Sequence, residues 1–163
     1  MSTETNKAII RRYIEQVLNE QRYDLVEEFL AENIELHGSG IPPGLEVVMQ
    51  WFTTFATAFP DGYTTIEDMV AEDDRVVART TFNGTHKSEM QDIPATGKTV
   101  NIPGIAIFRL DNGKIAEGWL VNDNLSMTRQ LDIVQTPAGV IYDGSQKRVP
   151  RLDRCHQFKQ RKA

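Results

Sequence analysis

The hydrophobic periodicity of the chain changes at Pro60-Asp61-Gly62, and this change constrains the fold more than any other feature. Before it, apolar residues recur at helical spacing in 9–18, 24–30 and 47–59, with a short strand pattern at 34–37. After it, they alternate with the period of β-strands in 63–72, 75–83, 99–110 and 115–123, before a closing helix at 125–133. This order predicts an α+β fold. We expect a curved antiparallel β-sheet wrapped around the N-terminal helices, forming a cone with a small-molecule pocket.

Charge and hydrophobicity divide the chain into one domain, 1–135, and a tail, 136–163. The domain holds 11 Lys or Arg against 21 Asp or Glu, a net charge of −10, whereas the tail holds seven against two. Because the tail is basic and poor in apolar residues, we expect it to be extended or disordered. The acidic domain argues against a nucleic-acid partner. The sequence contains no long apolar run of the kind found in signal peptides and membrane-binding segments, so we expect no membrane partner and a cytoplasmic protein.

The strand predicted at 115–123 follows the hairpin signal at 111–113 and carries reactive side chains on one face. That face holds Glu117, Trp119, Val121 and Asp123, because side chains alternate along a strand. We interpret it as a wall of the pocket, where burial would tune a carboxylate. The opposite face, formed by small and apolar residues in 116–120, could equally be the packed one.

Several motifs in a fixed order carry a resemblance to a known family. They are Phe59-Pro60-Asp61, EDMVAEDDRV at 67–76, Gly84-Thr85-His86, IPATGK at 93–98, Glu117-Gly118-Trp119 with Asp123, and Gln130-Leu131. Together they resemble the SnoaL-like polyketide (ester) cyclase family over about 7–134. The resemblance implies the α+β cone shared with ketosteroid isomerase, scytalone dehydratase and nuclear transport factor. Ser88 and Met90 depart from the family pattern at the pocket rim, and the tail lies outside the resemblance.

The resemblance also implies a chemistry: intramolecular aldol condensation of a polyketide-like ester by acid/base catalysis, with no metal and no cofactor. Asp123 stands at the position of the family's catalytic acid/base, and burial beside Trp119 would make it a better base. His86 is the second catalytic candidate, as a donor to the enolate oxygen. The candidate substrate-binding residues are Arg79, His37, Trp51, Asn101 and Trp119.

Three of these residues have a structural alternative. Asp123 could cap the last helix. His86 could be an ordinary loop histidine, and Arg79 could form a cross-strand ion pair with Glu67 or Glu117. The sequence therefore leaves these roles open.

The remaining candidates also allow other readings. Trp51 could belong to the core, and Asn101 could take either role. His37, His86 and Asp123 could in principle form a metal triad, but no close ligand spacing supports one. Cys155 cannot form a disulfide within the chain, which has a single cysteine.

Three functional classes follow. The first is a cofactor-independent cyclase, and the second is a hydrolase, dehydratase or isomerase on the same fold acting on a small hydrophobic substrate. The third is a ligand-binding module without catalysis. We also expect a homo-oligomer, a dimer or tetramer, because the resemblance implies one and because 105–108 is apolar on both strand faces.

Overall fold

The structure, a computed structural model, describes residues 2–135 and 141–142. Its helices are α1 (Thr3–Arg12), a π-helical continuation (Tyr13–Asn19), a 3-10 turn (Tyr23–Leu25), α2 (Val26–Phe29), α3 (Leu45–Ala58) and α4 (Asn124–Gln130). Its strands are β1 (Leu30–His37), β2 (Tyr63–Glu72), β3 (Arg75–Thr85), β4 (Thr99–Asp111), β5 (Lys114–Asn122), β6 (Val134–Gln135) and β7 (Ile141–Tyr142). The predicted order of helices and then strands is confirmed.

The N-terminal helix forms because its apolar residues recur on one side. Ser2 begins it by accepting a hydrogen bond from the backbone N–H of Thr5, a standard N-cap. Ile10, Ile14 and Val17 are buried against the sheet. The last two turns widen into a π-helix, a form found mostly as short segments near functional sites.

The large sheet has the order β1-β5-β4-β3-β2. Strands β2 to β5 form the predicted antiparallel meander, and the β4–β5 hairpin turns at Asn112 and Gly113, which both have positive φ. One pairing was not predicted: β1 runs parallel to β5, so the sheet is mixed. A parallel neighbour requires a long connection, and α3 with three strands lies between β1 and β5.

The sheet buries one face against the helices and leaves the other open to solvent. Along β4, burial alternates without interruption, with Ala106, Phe108 and Leu110 on the inner face. The inner residues and the helices form the main core. A second core cluster around Phe59, Ile102 and Leu131 lies near the end where β3 and β5 finish.

The predicted tail falls almost entirely outside the described residues. Only Ile141 and Tyr142 are described there, and they pair with β6 as a short antiparallel strand. None of the described helices is both long and apolar enough to cross a membrane.

Candidate ligand-binding site

A cavity of about 850 Å³ lies between the helices and the inner face of the sheet. Strands β3 and β5 end, and β2 and β4 begin, at the same edge, so this edge forms the mouth of the cone. The rim includes Ser39, Gln91 and Arg129, and the floor includes Ala106 and Phe108. This volume falls in the range of cavities that hold drug-sized ligands.

Four aromatic rings form one wall of the cavity. Trp51 stacks on Phe55 with ring centroids 4.9 Å apart. Phe55 lies 5.0 Å from both Phe59 and Phe82. Phe59 meets Phe82 edge to face at 5.5 Å. A connected aromatic wall of this kind offers a flat apolar surface to a ligand.

Two tyrosines line the cavity on the helical side. The π-helical segment turns Tyr13, Ile14 and Leu18 toward the cavity, and Tyr23 joins them from the following turn. Burial, reinforced by the nearby Tyr23, raises the pKa of Tyr13 well above its ordinary value, and burial also raises the pKa of Tyr23. Both phenols therefore stay protonated near neutral pH, and the Tyr23 hydroxyl donates a hydrogen bond of 3.4 Å to the backbone carbonyl of Phe52.

Asp123 does not point into the cavity, so its predicted position beside Trp119 and His86 is wrong. It is exposed, and its Oδ1 accepts a hydrogen bond of 2.8 Å from the backbone N–H of Ser126, which makes it the N-cap of α4. The cap forms because an aspartate at this position satisfies an N–H that has no partner within the helix. The burial that the proposed base required is missing.

Trp119 and His37 both lie outside the cavity. The face of β5 that was predicted to line the pocket, and that carries Trp119, is the outer face of the sheet. The register pairs Trp119 with the outward Ile107, while Leu120 faces inward. Outside the sheet, His37 stacks on Trp119 at 5.1 Å, and the Arg75 guanidinium lies 5.8 Å from the indole. These contacts hold Trp119 on the outer surface.

Arg79 and Asn101 also lie outside the cavity, contrary to the substrate-binding roles predicted for them. Arg79 points outward and forms an exposed ion pair with Asp68 at 2.9 Å, a cross-strand pair like the alternative considered for it but with another partner. Asn101 is exposed, and its Nδ2 donates to Asn83 Oδ1 at 2.6 Å. Alternation along β3 and β4 places both side chains on the solvent face.

His86 is fully buried behind the aromatic wall and is not a surface histidine. Its ring stacks on Phe59 at 5.3 Å. Its Nδ1 lies 3.3 Å from the Thr96 hydroxyl oxygen and 3.4 Å from the Thr96 backbone nitrogen. Nε2 has no partner within the described part of the chain. Burial lowers the pKa of His86, which favours the neutral ring.

Protein stability is expected to fall as the pH drops below the ordinary histidine pKa of 6.5. The folded state holds His86 with a lowered pKa, so below that pH the unfolded chain binds more protons. Each unit of pKa lowering contributes about 1.4 kcal/mol of this loss. Urea denaturation between about pH 7.5 and 5.5 measures it. His86→Gln should show a flatter dependence, and an equal slope in both proteins would contradict the assignment.

The candidate residues thus separate in space. Trp51 lies in the cavity wall, and the substrate-binding role expected for it stays a prediction. His37, His86 and Asp123 occupy the outer face, the buried wall and the rim, and no described group of three His, Cys, Asp or Glu residues could hold a metal ion. Sequence reasoning missed Tyr13, which it placed in a helical core stripe. It also missed Asn122. Side chains alternate along a strand, so Asn122 shares the inner face of β5 with Leu120.

Comparison with known proteins agrees with the cone architecture. The family model for SnoaL-like polyketide cyclases matches residues 8–131. The chain therefore belongs to the SnoaL-like polyketide cyclase family. No curated protein matches the sequence significantly.

Solved structures share the fold. TsrD from Streptomyces laurentii has a TM-score of 0.74 at 25% identity, covering 80% of this chain and 97% of that chain. A SnoaL-like polyketide cyclase from Agrobacterium tumefaciens has a TM-score of 0.68 at 28% identity, covering 80% and 99%. AclR from Streptomyces galilaeus, a candidate hydroxylase, has a TM-score of 0.69 at 21% identity, covering 80% and 97%, and shows similarity of fold alone.

Proposed function

We propose that the protein binds a largely apolar, polyketide-like small molecule in the cone cavity. The observation that carries this proposal is the chemistry of the wall. The described lining is mostly aliphatic and aromatic, with hydroxyl and amide groups and Arg129 at intervals, and it contains no carboxylate and no imidazole. Such a wall suits a hydrophobic ligand with a few oxygen atoms.

The same wall is poorly suited to removing a proton from carbon. A general base must lie within hydrogen-bond reach of the proton that it takes. Apart from Arg129, which is a permanent cation, the titratable groups of the described lining are Tyr13 and Tyr23, and burial raises the pKa of both phenols. They act as donors rather than bases, which supports binding as the primary role.

Nile red, a neutral apolar dye, tests this proposal. Its emission should rise and shift to the blue on saturable binding to one site per chain, because the cavity excludes water from an apolar ligand. An unlabelled polyketide ester should displace it. The absence of saturable binding would contradict the proposal.

A second candidate function is the cyclisation implied by the family, an intramolecular aldol condensation without cofactor. One observation favours it: Asp123 stands on the rim between Asn122 and Asn124, and both neighbours line the cavity. A ligand that protrudes from the mouth would bring its reacting carbon to this carboxylate. In this case Asp123 acts at the rim, without His86 or Trp119.

Asp123→Asn separates the two functions. Asparagine is as good an N-cap as aspartate, so stability and Nile red binding should stay unchanged. Asp123→Ala, the matched control, should lose about 1 kcal/mol of stability through loss of the cap. If the protein is a cyclase, Asp123→Asn should reduce turnover of a polyketide ester by about two or more powers of ten. Full turnover in that variant would reject Asp123 as the base.

We further propose that the protein forms a homo-oligomer through the outer face of the sheet. Apolar side chains are exposed there at Val70, Ile105, Ile107 and Val121, with exposed fractions of 64, 49, 36 and 72%. Exposed apolar surface of this extent on one face is typical of a protein interface. The ion pairs Arg79–Asp68 and Arg109–Glu117 neutralise charge on the same face, which suits association with a second copy.

Val121→Glu is expected to shift the protein toward monomer at micromolar concentration, because it places a charge in the apolar surface of each copy. Val47→Glu on α3 is the matched control, since Val47 is 36% exposed but lies on a helix. Sedimentation equilibrium or small-angle scattering measures the mass. A monomeric wild-type protein would contradict the proposal.

A further inference from the structure

Asn122 is the last residue of β5, and its side chain faces the mouth of the cavity. The register pairs it with Gly104 on β4. A Cβ atom on Gly104 would fall far inside contact distance of Asn122 Oδ1. Glycine in the interior of a strand often marks a place where another group must approach closely. Here it makes room for the amide of Asn122 to lie against β4.

This amide is not used by the fold. None of the side-chain hydrogen bonds among the described residues involves Asn122, whereas neighbouring groups at the mouth are engaged. Asp123 accepts from Ser126, and Gln130 donates to the carbonyl of Asn101. Asn122 is exposed at the mouth, so its amide N–H groups and carbonyl oxygen remain available to a ligand in the cavity.

We propose that Asn122 recognises a carbonyl-type oxygen on an otherwise apolar ligand, with Gly104 providing the space for its amide. The inference rests on the proposed binding function. Oδ1 is the amide atom nearest to Gly104, so Nδ2 lies farther away and is the end that donates to the ligand. A ketone or ester oxygen accepts such a bond, and it needs no charged partner. Arg129, the charged side chain of the described lining, would instead favour a carboxylate.

The test compares two probes of similar shape, 2-acetylnaphthalene and 2-ethylnaphthalene, by displacement of Nile red. The wild-type protein should prefer the ketone by about threefold to tenfold, the range of one hydrogen bond. Asn122→Ala should abolish the preference. Asn122→Asp should also abolish it, because an ionised carboxylate of the same size cannot donate. Asn124→Ala, which removes a cavity-lining amide with no glycine opposite, should keep the preference.

Gly104→Ala extends the test to the glycine. In the otherwise wild-type chain, the added methyl group should displace the Asn122 amide and remove the preference for the ketone. In Asn122→Ala, the same substitution should have no further effect on that preference. A preference that survives Asn122→Ala would overturn the inference and leave the proposed function intact. If 2-naphthoate binds more tightly than 2-acetylnaphthalene, the cavity recognises a carboxylate through Arg129, and the inference about Asn122 is overturned. If neither probe nor Nile red binds, the proposed function and the inference both fail.

Discussion

Replacing Phe59 with alanine is expected to lower the free energy of unfolding by about 3 to 5 kcal/mol. Phe59 is 1% exposed and directly follows α3. Its ring contacts Phe55, Phe82 and His86 at centroid distances of 5.0, 5.5 and 5.3 Å. Removing it leaves a cavity between the aromatic wall and the buried histidine, and neighbours held by strands can close that cavity only in part.

Urea denaturation followed by circular dichroism measures this loss. Tyr63→Ala is the matched control, since Tyr63 is an aromatic residue only a few positions further along the chain and is 55% exposed. The control should change stability by less than about 1 kcal/mol. A loss at Phe59 as small as that of the control would show that the aromatic wall does not hold the cone together.

Ala106→Trp should weaken Nile red binding by at least about tenfold, equivalent to about 1.4 kcal/mol. Ala106 lies on the cavity floor, facing inward from β4. A tryptophan there extends its indole into the lumen and occupies the space that the ligand requires. Because the side chain enters an existing cavity, we expect a loss of stability at the lower end of the range of 1 to 3 kcal/mol for overpacking, about 1 kcal/mol.

Ile107→Trp provides the control for this substitution. Ile107 is adjacent in sequence but faces outward, with 36% of its surface exposed. Dye binding to Ile107→Trp should match that of the wild-type protein. If the two tryptophan variants bind equally well, the dye occupies a site other than the cavity.

The fold could be predicted from the sequence because its signals are local. The change of period at 60–62 separates helices from strands, and Asn112-Gly113 identifies the β4–β5 turn. The parallel pairing of β1 with β5 could not be predicted in the same way. It depends on where a chain segment docks after a long connection, and an eight-residue strand carries no mark of its partner.

The site was harder to predict because both faces of β5 are chemically plausible linings. Contacts distant in sequence decide between them: Arg109 draws Glu117 outward at 3.1 Å, and Arg75 with His37 covers Trp119. The position of Asp123 depends on where β5 ends. The strand finishes at Asn122, so Asp123 is the next residue and caps α4. The polar neighbours of His86 in the sequence are typical of a loop residue. In the structure, contacts with Phe59 and Thr96, which are distant in sequence, bury it.

The most direct test of the cavity as the ligand site is an NMR measurement of intermolecular nuclear Overhauser effects between bound 2-acetylnaphthalene and the methyl groups of the protein. Inner and outer methyl groups alternate along β4 and β5, with Ala106 and Leu120 inside and Ile107 and Val121 outside. We predict contacts to Ala106 and Leu120 and none to Ile107 and Val121. Contacts to Ile107 and Val121 alone, or no contact to any of the four, would contradict binding in the cone.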